Sequence, residues 1–351
     1  MFSPTRARAI QALSAFAAAT ASAVPLRSGA EELTTVRVGI VNSVTDVVFA
    51  IGDKVGYFRE DGIKIEFVTF KSAADMVAPL AAGQLDVGGG SPSAGLYNAF
   101  SRGIDIRMVA DKGTDPPGYG FGPFVVRTEL IKNGRYKTLK DIKGMTIAVS
   151  QPGSGSFSAL NHLVKKAGLQ YGDVKPVSLG YPDQVVALQN GSIDGAVIIE
   201  PNATEAVKSG AGTRILDSDQ FYVNQQVACV IYGSTILKAH DLGTRFMHAY
   251  IRAARYYNDA LAHGRFAGPR ANDVIAILTE TTAIKDASVY RAIVPNGLDP
   301  NGRLNVASMR EDEEFFRSLG LIQGTVRVED VIDESYVNDA LKKLGRYKRA
   351  R

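Results

Sequence analysis

A duplication constrains this chain more than any other feature. Asp75-Met-Val-Ala-Pro-Leu80-Ala-Ala-Gly83-Gln-Leu85-Asp86 and Asp183-Gln-Val-Val-Ala-Leu188-Gln-Asn-Gly191-Ser-Ile193-Asp194 both read D-x4-L-x2-G-x-[LI]-D, with no gap and 108 residues apart. Each copy has the same physics. An aspartate suits the positive end of a short helix, a leucine faces the core, and a glycine ends the helix in a left-handed turn. A short apolar strand follows.

The likeness extends on both sides. In the first copy, strands are predicted at 36–41, 63–70 and 85–89, with helices at about 45–58 and 73–82. In the second, strands fall at 145–149, 174–179 and 193–199, with helices at 156–167 and 182–190. Each third strand runs to a proline, Pro92 or Pro201, at a helix start. The fold class is therefore α/β, with two similar lobes, each a mostly parallel sheet flanked by helices around a ligand cleft. Two copies at so long a period exclude a solenoid.

From about Asp241 the strand pattern stops. Helices are expected near 241–263, 270–283, 286–293, 306–319 and 328–344, packed on the first lobe. The segment Asp115-Pro-Pro-Gly-Tyr-Gly-Phe-Gly-Pro123 suits a hinge between lobes. These readings give a discontinuous first lobe, 31–116 and 239–351, and a second lobe, 117–238.

The composition fits two packed lobes: 351 residues, 45% hydrophobic and 22% charged. The 40 Lys+Arg against 36 Asp+Glu are scattered, apart from a basic end at 342–351, so no basic face for nucleic acid is indicated. Cys229 is the single cysteine, which excludes an internal disulfide and every Cys-Cys metal pattern. It lies in the apolar run Val227–Tyr232 and reads as an inert buried thiol. Residues 1–23 read as an export signal. Arg6 and Arg8 precede a weakly apolar stretch at 9–20, and Ala21-Ser22-Ala23 has the small-x-small cleavage pattern. The alternative is an unstructured alanine-rich terminus. The stretch is too short to span a bilayer, and cleavage near Ala23 would place the protein in the periplasm.

Several stretches then fit one family in order and spacing. Val36-Arg-Val-Gly-Ile40 leads to Ala50-Ile-Gly-Asp-Lys-Val-Gly-Tyr-Phe58. Gly56-Tyr57-Phe58-Arg-Glu-Asp-Gly62 precedes the second strand. Glu200-Pro201 follows the second copy of the repeat. Over about residues 36–238 the chain resembles the nitrate/sulfonate/taurine-type substrate-binding proteins of ABC importers. The resemblance implies a type II periplasmic-binding-protein fold. It also implies capture of a small, anionic organic ligand (a sulfonate, taurine, nitrate, a carboxylate or a pyrimidine) for an ABC permease in the inner membrane. It further implies a monomer that carries no cofactor or metal, binds no nucleic acid and catalyses no reaction.

Alternatives are an exported ligand sensor subunit or an enzyme on the same fold. A pyrimidine-precursor synthase resembling this family would carry a cysteine-rich segment, which one cysteine does not supply. A hydrolase would use Ser91-Pro-Ser93-Ala-Gly95, which nearly fits G-x-S-x-G but lacks its first glycine. The four histidines, His162, His240, His248 and His263, all fall in predicted helices and not in a strand-end loop.

Ligands of open α/β sheets bind beyond the carboxyl ends of the strands. Those edges supply the candidate site: Asn42, Ser43, Thr45, Asp46, Ser72, Ser91 and Ser93 from the first lobe, and Ser154, Gly155, Ser156, Glu200 and Asn202 from the second. Each serine either meets ligand or caps its helix. The set at 150–156, rich in serine and glycine before a helix, reads as an anion site. Asp46 and Glu200 either form structural salt bridges or meet an amine on the ligand. Tyr119 or Phe121 covers the ligand or packs the crossing.

Overall fold

The computed structural model describes residues 32–348. The predicted signal stretch lies outside the described residues. Ten strands build two sheets: β1 (Thr34–Ile40), β2 (Ile63–Thr69), β3 (Val87–Gly90), β4 (Arg107–Thr114), β5 (Phe124–Arg127), β6 (Thr146–Val149), β7 (Lys175–Ser178), β8 (Gly195–Val197), β9 (Gly212–Leu216) and β10 (Gln226–Tyr232). The first sheet has the order β2-β1-β3-β10-β4 and the second β7-β6-β8-β5-β9. In each, one strand runs against the others: β10 between β3 and β4, and β5 between β8 and β9. The duplication therefore extends from a twelve-residue motif to a whole lobe.

The repeated aspartate has the same task in both copies. Asp86 accepts the main-chain N–H of Arg37 at 2.9 Å, and Asp194 accepts that of Thr146 at 3.0 Å. Each thus ties the end of one strand to its parallel neighbour and is held by an arginine, Arg37 or Arg127. The repeated glycines sit at positive φ, +67° at Gly83 and +78° at Gly191, the left-handed turn that ends each helix.

β10 corrects the lobe boundary. The apolar run at 226–232 completes the first sheet, so the second lobe closes before Gln226 rather than at 238. The chain crosses twice between lobes, at 115–123 and at 217–225. The two crossings are hydrogen-bonded to each other: Asn224 N–H donates to the Asp115 carbonyl at 2.8 Å, and Asp115 N–H to the Gln225 carbonyl at 3.1 Å.

The C-terminal helices depart from expectation in three places. The helix His240–Ala260 packs on the first lobe, where Phe246 and Tyr250 stack against Phe58 and Phe49. It stops at Ala260 because Leu261-Ala262 pairs with Arg265-Phe266 in a hairpin, which puts His263 in the turn and not in a helix. The predicted helix 328–344 is broken into Val328–Val331 and Ser335–Leu344. Between them Ile332 bridges Met108, and Asp333 N–H donates to the Met108 carbonyl, so the edge of β4 claims those residues from the helix.

The helix Val306–Ser318 does not stay with the first lobe. Its Met309 and Phe316 share one buried cluster with Tyr97 and Ile231 of the first lobe and Leu160 and Phe124 of the second. Its buried Asp312 accepts hydrogen bonds from Ser158 and Tyr222, and burial raises this carboxyl to about 7.

Candidate functional site

The lobes meet face to face, closed. Ala94 N–H donates to the Gly153 carbonyl at 2.9 Å, Gln151 Nε2 to Ser72 Oγ at 2.7 Å, and Gly155 N–H to Ser91 Oγ at 3.4 Å. Gly153 permits this approach. Its φ is +69°, and a Cβ there would stand 2.7 Å from Ala94 Cβ. The contacts wall off a chamber with about 750 Å³ of non-protein space, its solvent mouth included.

Strand ends deliver the lining. The first lobe contributes Val41, Ser43, Thr45, Ser72, Ala73, Gly90, Ser91 and Ser93. The second contributes Ser150, Gln151, Ser154, Gly155, Ser156, Tyr181, Val197 and Ile199. The crossings add Asp115, Phe121, Ser218 and Gln225. The walls are mostly apolar, with hydroxyls grouped at the start of the helix Gly155–Lys166. There Ser150 Oγ lies 2.9 Å from both Ser154 Oγ and Ser156 Oγ, and Ser156 Oγ accepts the Ser150 N–H. Burial raises the nearby Tyr181 phenol above its ordinary value.

The serines divide between the two roles. Ser93 caps its helix, accepting Leu96 N–H at 3.3 Å. Ser154 occupies the N-cap position of Gly155–Lys166 but makes no side-chain cap; its hydroxyl donates to the Gln151 carbonyl. The first-turn N–H groups of that helix thus receive no hydroxyl from Ser154, and they carry the positive end of the helix dipole.

Of the residues expected at the site, Ser43, Thr45, Ser72, Ser91, Ser93, Ser154, Gly155 and Ser156 line the chamber. Five do not. Asp46 is buried beneath it, in an ion pair with fully buried Lys112 at 2.7 Å, and accepts the N–H groups of Val41 and Ser43. Lys112 also donates to Thr45 Oγ1 at 2.7 Å. Glu200 is fully buried, bonded to Arg214 Nη1 at 2.5 Å and to Thr204 N–H at 2.9 Å. Both carboxylates are therefore structural. Asn42, at φ 58°, and Asn202 line an outer groove with Lys71 and Asp183. Tyr119 packs against the first core beside Pro116 and Leu298, while Phe121 takes the chamber wall.

Sequence reasoning missed Asp115, Ser218 and Gln225, which join the site only through the two crossings. Asp115 was visible as a polar residue at a strand end before Pro116-Pro117, but its carboxyl was not weighed. It is fully buried. Ser218 Oγ donates to its Oδ2, the Phe121 main-chain N–H also stabilises the charged carboxylate, and its Oδ1 has no donor at hydrogen-bond distance and angle. Burial raises this carboxyl to about 8, and the negative charges of Asp219 and Asp217 add to the shift.

Among the described residues no histidine lines the chamber. His162 stacks on Tyr222 with ring centroids 3.6 Å apart, and burial lowers its pKa to about 4. His248 pairs with Asp61 and His240 with Asp339. Among the described residues no group of three or more His, Cys, Asp or Glu could hold a metal ion.

The chain is similar in sequence and fold to known proteins. The chain is 29% identical over 205 residues to a putative aliphatic sulfonates-binding protein of Escherichia coli (strain K12), a stretch covering 58% of this chain and 60% of that one. A putative aliphatic sulfonates-binding protein of Bacillus subtilis (strain 168) is 24% identical over 320 residues, 89% of this chain and 90% of its own. The periplasmic nitrate-binding protein NrtA from Synechocystis PCC 6803 superposes with a TM-score of 0.73 at 12% identity, covering 90% of both chains. Residues 29–268 match the NMT1-like family. That match spans well over half of the sequence, and the protein belongs to the NMT1-like family.

Proposed function

We propose that this protein is the extracytoplasmic solute-binding component of an ABC importer and acts as a monomer. It closes its two lobes over a small organic ligand whose anionic or acceptor end meets the start of the helix Gly155–Lys166. One observation carries this reading: the closed chamber offers a helix start with hydroxyls around it, and among the described residues no histidine stands against a lining serine. A fold of this kind does not by itself separate binding from catalysis. Ser93, the one serine in a near-elbow sequence, is engaged as a helix cap, and no imidazole reaches it.

The reading is tested by a thermal-shift screen of sulfonates, nitrate, carboxylates and pyrimidines. A specific ligand at 100 times its dissociation constant stabilises the folded state by about 2.7 kcal/mol. Bound ligand is expected to be recovered unchanged by mass spectrometry. Turnover lost in Ser93→Ala would instead establish an enzyme.

The export signal gives a separate expected result. Protein recovered from the periplasm should begin at or near Val24. Soluble cytoplasmic protein retaining Met1 as its only form would refute the location.

A further inference from the structure

The chamber's charges are unusual for an anion receptor. Among the described residues no lysine, arginine or histidine lines it, and the one carboxyl is that of Asp115. This side chain sits where the two crossings meet, and Gln225 links it to the helix start: Asp115 N–H donates to the Gln225 carbonyl, and Gln225 Nε2 to the Gly155 carbonyl at 2.8 Å. The chamber therefore has two unlike poles, a helix start at Gly155 whose N–H is held only by a 3.4 Å contact to Ser91 Oγ, and an acceptor oxygen without a donor at Asp115.

Buried polar groups left without partners are costly, and this one, unlike the others in the structure, belongs to a carboxyl in the chamber lining, where a ligand can supply the bond. Resting on the solute-binding reading above, we propose that Asp115 is the specificity-determining residue, taking a hydrogen bond from an ammonium or similar N–H donor on a ligand whose opposite end is anionic or an acceptor. A bare anion of the same size would leave Asp115 Oδ1 unsatisfied. Where the carboxyl is ionised, above about pH 8, a bare anion would also face its charge with no cation in the lining to offset it.

The surroundings of Asp115 fix the sign of a pH effect. Asp219 and Asp217, in the second crossing, oppose its ionisation. Arg214, on β9, is engaged by Asp217 and Glu200. Ser218, Phe121 and Gln225 bring no charge. Without ligand the carboxyl holds its proton up to about pH 8. An ammonium ligand needs it ionised, so binding releases a proton, and affinity rises with pH until about 8 and then levels off.

The experiment uses matched probes on the purified protein: taurine against ethanesulfonate and β-alanine against propionate, titrated by calorimetry from pH 6 to 8.5. In each pair that binds, the amino member should be tighter by about tenfold or more at about pH 8 to 8.5, where the carboxyl is ionised, as a charge-assisted hydrogen bond gives. Its affinity should rise about tenfold per pH unit below pH 7. Asp115→Asn should erase both the preference and the slope. The wild-type comparison and its pH profile stand even if that variant misfolds. A desamino probe that binds as tightly as its partner, or a screened ligand without an N–H donor that binds tightly, overturns the inference and leaves solute binding intact. If no probe and no screened compound binds, both readings fall.

Discussion

Gly155→Asp is expected to weaken capture of a ligand with an anionic end by about ten- to a thousandfold, in a protein that still folds. Gly155 is buried at the first position of its helix, and a Cβ there would stand 3.2 Å from Ser91 Cβ and 3.5 Å from Gln225 Nε2. The new side chain therefore projects at the seam where the lobes meet around the ligand. Its carboxylate would occupy the positive end of the helix, where the ligand's own negative charge is expected. Like charges at close range cost on the order of 1–4 kcal/mol in partly screened surroundings, and each ~1.4 kcal/mol is about tenfold in affinity. The helix itself tolerates the change, because an acid in the first turn favours it. Gly155→Ala separates bulk from charge: the neighbours need give only a few tenths of an ångström, so its loss should be far smaller. Calorimetry on variants with normal circular dichroism decides the matter. Equal affinity in Gly155→Asp and the parent would show that the ligand does not use this helix start.

The second large effect is on stability. Asp46→Ala is expected to cost about 3–5 kcal/mol, because it leaves the Lys112 ammonium in the core with the Thr45 hydroxyl and the face of Phe49 beside it but no counter-charge. Lys112 has no exposed surface, and its partners are Asp46 and Thr45. The carboxylate also holds the N–H groups of Val41 and Ser43, which shape the first chamber loop. Folded proteins are stable by about 5–15 kcal/mol, so the loss is a large share of the total. Urea denaturation should show it as a lowered midpoint with little change in slope. Adding Lys112→Met should recover much of it, since an apolar side chain of similar length replaces a buried charge. A loss under about 1 kcal/mol in Asp46→Ala would mean that water reaches the ammonium once the carboxylate is gone.

Most of the architecture was legible because it is local and repeated. The motif ending at Asp86 and Asp194 marks both lobes, and strand-end loops announce themselves by serine and glycine before a helix. What escaped depends on partners distant in sequence. The run Val227–Tyr232 is apolar enough for the interior of either sheet, and periodicity does not say which strand it joins. Asp46 and Glu200 looked like rim residues because Lys112 and Arg214 lie on other elements; those cations turn both acids inward. Tyr119 and Phe121 are two residues apart in an irregular hinge, where no helix or strand period tells which ring faces the cleft. Asp115 has the same history: its chain position showed a hinge, while its role depends on the second crossing at 217–225.

The return of β10 to the first sheet has a consequence for synthesis. All five strands of the second lobe lie within one uninterrupted stretch, whereas the first sheet lacks an interior strand until residues 226–232 leave the ribosome. Its packing partner, the helix His240–Ala260, comes later still. The second lobe is thus an insertion whose two ends lie within a hydrogen bond of each other, and all its strand pairings are complete once residue 216 is made. The first lobe must hold four strands with a gap between β3 and β4 while more than a hundred further residues are made. Nascent chains halted before Gln226 would carry a finished second lobe on an unfinished first, the arrangement in which the bare edges of β3 and β4 are open to wrong partners.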